Sequence, residues 1–154
     1  MFKGFRAMAH LLEQLGDEQF AALIDSGNTG KVKNFCEGLI KDALPTTMTV
    51  GGRTYDILGF LQGNEKLVKG DIMVTRAVNM NANLGEDDGQ YLLDHQDEIP
   101  AVLRNRVVFV FTDWRHPSGP ERVCSLCWDG SRWIKYWYWL DYDFREGSRV
   151  LCRK

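Results

Sequence analysis

The residues best suited to acid–base chemistry lie in an acidic segment in the middle of the chain. Between Glu86 and Glu98 the sequence has six acids and no base, and His95 is followed closely by Asp97 and Glu98. An imidazole beside carboxylates can act as a general base or as a metal ligand. These three residues are therefore weak catalytic candidates for a small hydrolase-like enzyme. The alternative is a solvated acidic helix in which His95 has a capping or core position.

A second candidate for chemistry is the Cys-x-x-Cys pair formed by Cys124 and Cys127. Zinc needs about four ligands in a tetrahedral arrangement, and the obvious further partners are Cys152 and His116. If the pair lies on a regular strand, its two side chains point to opposite faces and cannot bind one ion. The sequence therefore predicts no metal site. It also has no Gly-rich phosphate loop, nucleophile elbow or zincin motif, so we expect no cofactor.

The most unusual feature is an aromatic run between Arg132 and Asp141. On a strand, alternation places three tryptophans on one face together with a lysine, and an indole offers a large flat surface for stacking. We therefore predict a contact surface made of Trp114, Arg115, Trp133, Lys135, Trp137 and Trp139. The alternative is that most of these tryptophans pack in the core beneath the N-terminal helices.

This surface favours a non-enzymatic binding module for a peptide or protein partner, although exposed tryptophans are equally typical of a homo-oligomer interface. The chain has 19 basic and 21 acidic residues, a net charge of -2, which argues against strong sequence-independent binding to nucleic acid. Residues Arg122 to Lys154 carry seven bases against four acids. Single-stranded nucleic acid binding therefore stays a weaker alternative.

Two further absences bear on location. Residues Met1–Gly16 do not have the pattern of a secretory signal, and no apolar stretch approaches the roughly 20 residues that a membrane span requires. We therefore expect a cytoplasmic protein with reduced cysteines and no membrane partner.

The elements that must position these residues are predicted to form one α+β domain over residues 1–154. The chain is 44% hydrophobic and 26% charged, which is typical of a globular protein. Apolar residues at helical spacing predict helices in residues 1–45, the last of them ending at Pro45. These helices and the following sheet are expected to share one core.

The remaining residues, 46–154, are predicted to contain a β-hairpin, two helices and a C-terminal antiparallel β-meander. The Gly51-Gly52 pair between two β-prone runs predicts the hairpin. Apolar spacing predicts helices over Asp71–Ala82 and Glu86–Gln96. The strands of the meander are expected over Val107–Trp114, Arg122–Trp128, Arg132–Asp141 and Arg149–Arg153.

Several segments also carry a resemblance, namely Arg76-Ala77, Ala82–Gln90, His95–Pro100, Thr112–Pro117, Trp128–Trp133 and Arg149–Lys154. They are similar to a family of small uncharacterised bacterial proteins from environmental and candidate-phylum genomes, over roughly Thr46 to Lys154. No activity, ligand or catalytic residue is assigned to that family, so the resemblance implies no site. It implies that other residues commonly stand at Cys124, Cys127 and Cys152, which further weakens the zinc interpretation.

Overall fold

A computed structural model describes residues 43–154 of the protein. The chain divides at Ala43 and Leu44 into two units, and every element below belongs to the second, Leu44–Lys154. The helices expected in residues 1–45 lie outside the described residues, apart from the last residues of that range. The single domain over residues 1–154 and its shared core therefore stay predictions.

The described part is mostly β-structure, with two α-helices and two short 3₁₀ turns. The first half contains β1 (Thr47–Val50), β2 (Arg53–Leu58), β3 (Leu67–Lys69), α1 (Gly70–Asn79), α2 (Glu86–Asp94) and the 3₁₀ turns Gln96–Glu98 and Ala101–Leu103. The second half contains β4 (Val108–His116), β5 (Gly119–Trp128), β6 (Trp133–Trp139), β7 (Asp143–Arg145) and β8 (Ser148–Arg153).

The predicted hairpin and both predicted helices of residues 46–154 are confirmed. β1 and β2 pair antiparallel, and the glycines between them have φ values of 56° and 86°. Two successive positive φ angles define the primed turn that matches the twist of a hairpin, and glycine adopts them without steric cost. Neither α-helix of the described part has the length and apolar character that a bilayer crossing needs.

The six-stranded sheet is mixed, with the order β1-β2-β8-β4-β5-β6, and β3 pairs with β7 separately. β4, β5 and β6 are consecutive and antiparallel, as the meander predicted. The expectation that the last strand extends this meander is wrong, because β8 pairs antiparallel with β2 and parallel with β4. The physical reason is burial: Val150 and Leu151 are both buried, on opposite faces, as in a central strand.

Both faces of the sheet are covered by other elements. The face that we call the α2 face packs against α2 and the 3₁₀ turns through Leu92, Ile99 and Leu103. The opposite face, the α1 face, packs against α1 and the β3–β7 pair through Met73 and Phe144. β6 is an edge strand of this sheet, and the predicted contact residues lie on β6 and on β4, with β5 between them.

Candidate functional site

The alternation predicted along β6 is confirmed, but two of the predicted contact tryptophans are core residues. Trp133 is 1% exposed and Trp114, on β4, is 5% exposed. The Trp133 ring stacks on Phe109 with 5.2 Å between centroids, and Trp114 meets Phe111 edge to face at 6.2 Å. The expectation that Trp114 and Trp133 contact a partner is therefore wrong. They are buried because they pack in the same core cluster as Leu92 of α2 and as Ile99 and Leu103.

The outer part of the same face stays accessible and combines aromatic rings with cations. Trp139 is 39% exposed, Trp137 is half-buried, and Lys135 is exposed. Lys135 Nζ lies 5.0 Å from the ring centroid of Trp114 and 5.5 Å from that of Trp137, and the Arg122 guanidinium lies 5.0 Å from that of Trp139. A cation over an indole face is attracted by the ring quadrupole.

We call this group the aromatic–cationic face; its members are His116, Arg122, Lys135, Trp137 and Trp139. Lys135 and Arg122 form no ion pair with any residue between 43 and 154. Arg122 instead lies 3.2 Å through Nη2 from His116 Nδ1, and His116 Nδ1 accepts the Ser118 N–H at 3.1 Å. The predicted contact surface did not include Arg122 or His116. The register that sets Arg122 opposite Trp139 is not local, so the sequence does not show it.

The guanidinium of Arg115, the remaining predicted contact residue, donates hydrogen bonds to two main-chain carbonyls. Its Nε donates to the Thr112 carbonyl at 2.7 Å and its Nη1 donates to the Pro120 carbonyl at 2.8 Å. The pairing of β4 with β5 shifts register between Phe111 and Arg115, which is an irregularity of the β-bulge kind. The guanidinium therefore bridges the bulge and the start of β5, and the role of Arg115 in contact stays a prediction.

The edge of β6 carries open main-chain groups next to this face. In an antiparallel ladder, hydrogen-bonded and non-bonded pairs alternate. Leu140 N–H donates to the Glu121 carbonyl at 2.8 Å, so the even-numbered residues of β6 bond to β5. Lys135, Trp137 and Trp139 consequently direct their main-chain groups outward. The outward N–H of Trp133 is already occupied, because it donates to Gln96 Oε1 at 2.8 Å.

The three catalytic candidates are not assembled into one constellation. His95 stacks on Tyr91 with 4.2 Å between centroids, and its Nδ1 lies 2.9 Å from the Tyr91 carbonyl oxygen. Glu98 accepts the Gly51 N–H at 2.8 Å. Asp97 lines a polar cleft of about 510 Å³ together with Arg104, and His95 is not part of the lining of that cleft. Within the described part of the chain, no side-chain hydrogen bond joins His95 to Asp97 or Glu98; the one bond between them is from the Glu98 main-chain N–H to the His95 carbonyl at 3.0 Å.

The acidic helix is not a purely solvated surface either. Asp88 is buried, and one carboxylate oxygen accepts bonds from the Tyr55 hydroxyl at 2.8 Å, Arg53 at 3.2 Å and Arg153 at 3.3 Å. Burial raises the pKa of the Tyr55 hydroxyl, and its hydrogen bond to Asp88 raises it further. This network joins α2 to β2 and β8. The sequence around Asp88, an acid followed by a glycine in a predicted helix, did not predict this network.

The cysteine pair lies on one strand with its side chains on opposite faces, as the alternation argument required. Cys124 is in the core of the α2 face, whereas Cys127 is only partly buried. Burial raises the pKa of the Cys124 thiol to about 12. Within residues 43–154, no three His, Cys, Asp or Glu side chains lie close enough together to hold a metal ion.

Comparison of the chain with protein-family models, with curated proteins and with solved structures finds no match. The resemblance to small bacterial proteins therefore stays a prediction, and the site must be interpreted from its own chemistry.

Proposed function

We propose that the protein is a non-enzymatic binding module that takes an extended, acidic peptide segment of a partner along the edge of β6. The observation that carries this proposal is the coincidence of unpaired cations with an open strand edge. Lys135 and Arg122 lack acidic partners among the described residues, and no residue between 43 and 154 bonds to the outward main-chain groups of Lys135 and Trp137. A cytoplasmic location belongs to the same proposal.

Strand addition is the binding mode that such an edge supports. An extended peptide can pair with the outward N–H and C=O groups of Lys135 and Trp137 and with the N–H of Trp139. The carbonyl of Trp139 already accepts the Tyr142 N–H at 3.2 Å, so the added strand ends there. Main-chain bonds give affinity, and the side chains on the two faces give specificity.

The two faces of β6 favour different side chains in a bound strand. A bound strand alternates its residues between the α2 face and the α1 face. On the α2 face, carboxylates would meet Lys135 and Arg122. On the α1 face, β6 exposes Tyr136, whose ring is edge-on to Tyr138 at 5.1 Å between centroids. The complementary sequence is therefore one that alternates acidic with apolar residues.

The test is a titration of the full chain with a fluorescein-labelled decapeptide that alternates Glu with Val, followed by fluorescence anisotropy. We expect saturable binding, and no binding of the matched peptide with Lys in place of Glu. Trp139→Ala and Lys135→Glu should each weaken binding about tenfold or more, the loss typical of a contact at the centre of an interface. Tyr142→Ala, an exposed aromatic outside the face, is the control and should change nothing.

Trp139 is a better probe than Trp137, because Trp137 packs against the core of the α2 face and contacts Trp114 and His116. Equal binding of the acidic and basic peptides would overturn the proposal. Binding of labelled oligothymidine in place of the peptide would favour the nucleic-acid alternative. A dimer that Trp139→Ala converts to a monomer, with no peptide bound, would identify the face as a contact between copies of the chain.

The hydrolase-like alternative has less support. It requires His95 to share a cleft with Asp97 or Glu98, and the contacts of His95 and Glu98 are directed to Tyr91 and Gly51 instead. Unchanged peptide binding in His95→Gln would agree with the binding module.

A further inference from the structure

The polar cleft of about 510 Å³ that Asp97 and Arg104 line is not used by the proposed function. It lies between the end of α2 with the following 3₁₀ turn and the turn that joins β5 to β6. No residue of the aromatic–cationic face borders it. A cavity of roughly 150 Å³ accommodates benzene, so the cleft has room for a molecule of the size of an amino acid together with water.

The walls of this cleft are fixed by hydrogen bonds of their own. Asp129 Oδ1 accepts the N–H of Ser131 at 2.8 Å, which holds the turn between β5 and β6. The segment after α2 is held as well, because Gln96 Nε2 donates to the Leu93 carbonyl at 3.1 Å and Gln96 Oε1 accepts the Trp133 N–H at 2.8 Å. A small ligand would therefore meet a shape that exists before it binds, which lowers the entropic cost of binding.

Arg104 presents an unpaired guanidinium to this cleft. The residue is half-buried, and its Cζ lies 4.4 Å from the ring centroid of Trp128. It forms no ion pair with any residue of the described range 43–154. Its Nε is buried without a partner, whereas its two Nη atoms are not buried and are the donors that a ligand can reach. A guanidinium held on an indole is oriented in advance, and a pair of its N–H groups binds a carboxylate through two parallel hydrogen bonds.

Asp97 supplies an unpaired charge of the opposite sign. It is exposed and forms no ion pair within the part of the chain that the structure describes, although it lines the same cleft as Arg104. The other charged residues of the lining have partners. Arg132 lies 3.8 Å from the Asp129 carboxylate, and Asp94 accepts a hydrogen bond from within α2 at 2.9 Å. One carboxylate and one guanidinium without partners therefore line a single space.

We infer that this cleft binds a free amino acid as its zwitterion, with the carboxylate on the Nη groups of Arg104 and the ammonium group on the Asp97 carboxylate. The charged atoms of Arg104 and Asp97 are more than 4.0 Å apart, so they do not satisfy each other directly. A ligand with one charge leaves the opposite group without a partner, whereas a zwitterion satisfies both. The hydrocarbon part of the ligand meets Leu93 and Trp128, which also line the cleft.

The experiment compares three matched compounds by isothermal titration and by NMR of the full chain. Leucine carries both charges, leucinamide lacks the carboxylate, and N-acetylleucine lacks the ammonium group. We expect leucine to shift the indole N–H resonance of Trp128 saturably. Each of the other two compounds should bind about tenfold more weakly or worse, the loss expected when a hydrogen bond to a charged group is removed.

Matched variants assign the two contacts. Arg104→Gln should abolish the preference for leucine over leucinamide, and Asp97→Asn should abolish the preference for leucine over N-acetylleucine. Because Asp97 is exposed and unpaired among the described residues, its variant tests the site even if Arg104→Gln fails to fold. Lys66→Gln and Asp141→Asn remove an exposed cation and an exposed anion that do not line the cleft, and they should change neither preference. Trp139→Ala should also leave both unchanged, which separates this inference from the proposed function.

Three outcomes would overturn the inference. One is the absence of saturable shifts at millimolar concentrations of leucine, which would mean that the cleft holds water and salt ions only. Another is equal affinity for the three compounds, which would show that neither charge of the ligand is recognised. The last is a preference for leucine over N-acetylleucine that persists in Asp97→Asn, because the ammonium group would then bind elsewhere.

Discussion

At the scale of single residues, the buried carboxylate of Asp88 is the most consequential side chain that we find. It gathers Tyr55, Arg53 and Arg153 from two neighbouring strands onto α2. Asp88→Ala leaves the buried Tyr55 hydroxyl without its acceptor, and it leaves Arg53 and Arg153 with Asp87 alone. We expect it to lower the free energy of unfolding by about 2 to 3 kcal/mol, measured by urea denaturation.

Asp87 provides the matched control for this prediction. Its side chain is 75% exposed, although it also lies 2.9 Å from Arg53. Surface ion pairs contribute little, so Asp87→Ala should cost less than about 1 kcal/mol. Equal losses for the two variants would show that the charge of the helix, rather than the buried network, is what matters.

The cysteines give a second test at this scale. A pKa of about 12 leaves the Cys124 thiol almost wholly protonated at pH 8, and the core shields it from reagents. We therefore expect iodoacetamide to modify Cys127 and Cys152 in the folded protein well before Cys124. Peptide mapping by mass spectrometry measures the three rates, and denaturation in urea should make them similar. Early modification of Cys124 would contradict the strand alternation.

At the scale of elements, the β1–β2 turn is clamped by α2. Gly51 has a φ of 56°, and its carbonyl accepts the Tyr91 hydroxyl. A Cβ atom at Gly51 would lie 2.5 Å from that hydroxyl, whereas one at Gly52, with a φ of 86°, would meet nothing within 4 Å.

Gly51→Ala should therefore destabilise the protein more than Gly52→Ala does. Both substitutions force alanine into the left-handed region at roughly 1 kcal/mol, and only the first also displaces Tyr91. The difference in urea midpoint between the two variants isolates the clamp. Identical midpoints would mean that the contact between Tyr91 of α2 and Gly51 of the hairpin does not contribute to stability.

Strand β6 gives a prediction with its own internal control. The even residues Tyr136 and Tyr138 bond to β5, whereas Lys135 and Trp137 direct their N–H groups outward. Amide hydrogen exchange followed by NMR should therefore be slow at the even positions and fast at the odd ones. Binding of the acidic peptide should slow exchange at the odd positions. Uniform protection in the free protein would show that the edge is already covered.

At the scale of the whole molecule, we expect the contact between Glu65 and Arg76 to affect stability in acid. Arg76 donates to both Glu65 oxygens, at 2.5 and 2.9 Å, and to the Phe60 carbonyl at 2.8 Å, which ties the loop before β3 to α1. The hydrogen bonds from Arg76 lower the pKa of Glu65 from its ordinary value of 4.5 to about 2.

The direction of the pH effect follows from this shift. A carboxyl group with a depressed pKa in the folded state contributes stability above its unfolded pKa, and that contribution is lost as the pH falls from 4.5 towards 2. Thermal melts of the wild type should show an extra loss of Tm in this window relative to Arg76→Gln. Parallel profiles of Tm against pH for the two proteins would show that the contact between Glu65 and Arg76 does not contribute to stability in acid.

Spacing and turn residues in the sequence predicted the features that depend only on residues close together in the chain. The Gly-Gly turn, α1, α2 and the strands from β4 to β6 all came from spacing and turn residues, and so did the opposite faces of Cys124 and Cys127. Short strands such as β3 and β7 were missed, because three residues carry no usable periodicity. The bonds of the Arg115 guanidinium to two carbonyls were not predicted either, since nothing local in the sequence shows them.

The sequence by itself therefore determined the alternation of side chains along β6, because successive side chains of any extended chain point to opposite faces. Which of those indoles stay accessible was decided by tertiary structure. The insertion of β8 between β2 and β4, and the packing of α2 and the 3₁₀ turns, buried Trp114 and Trp133 and left Trp139 at the edge. Burial depends on pairings between distant segments, and no spacing within one segment specifies them.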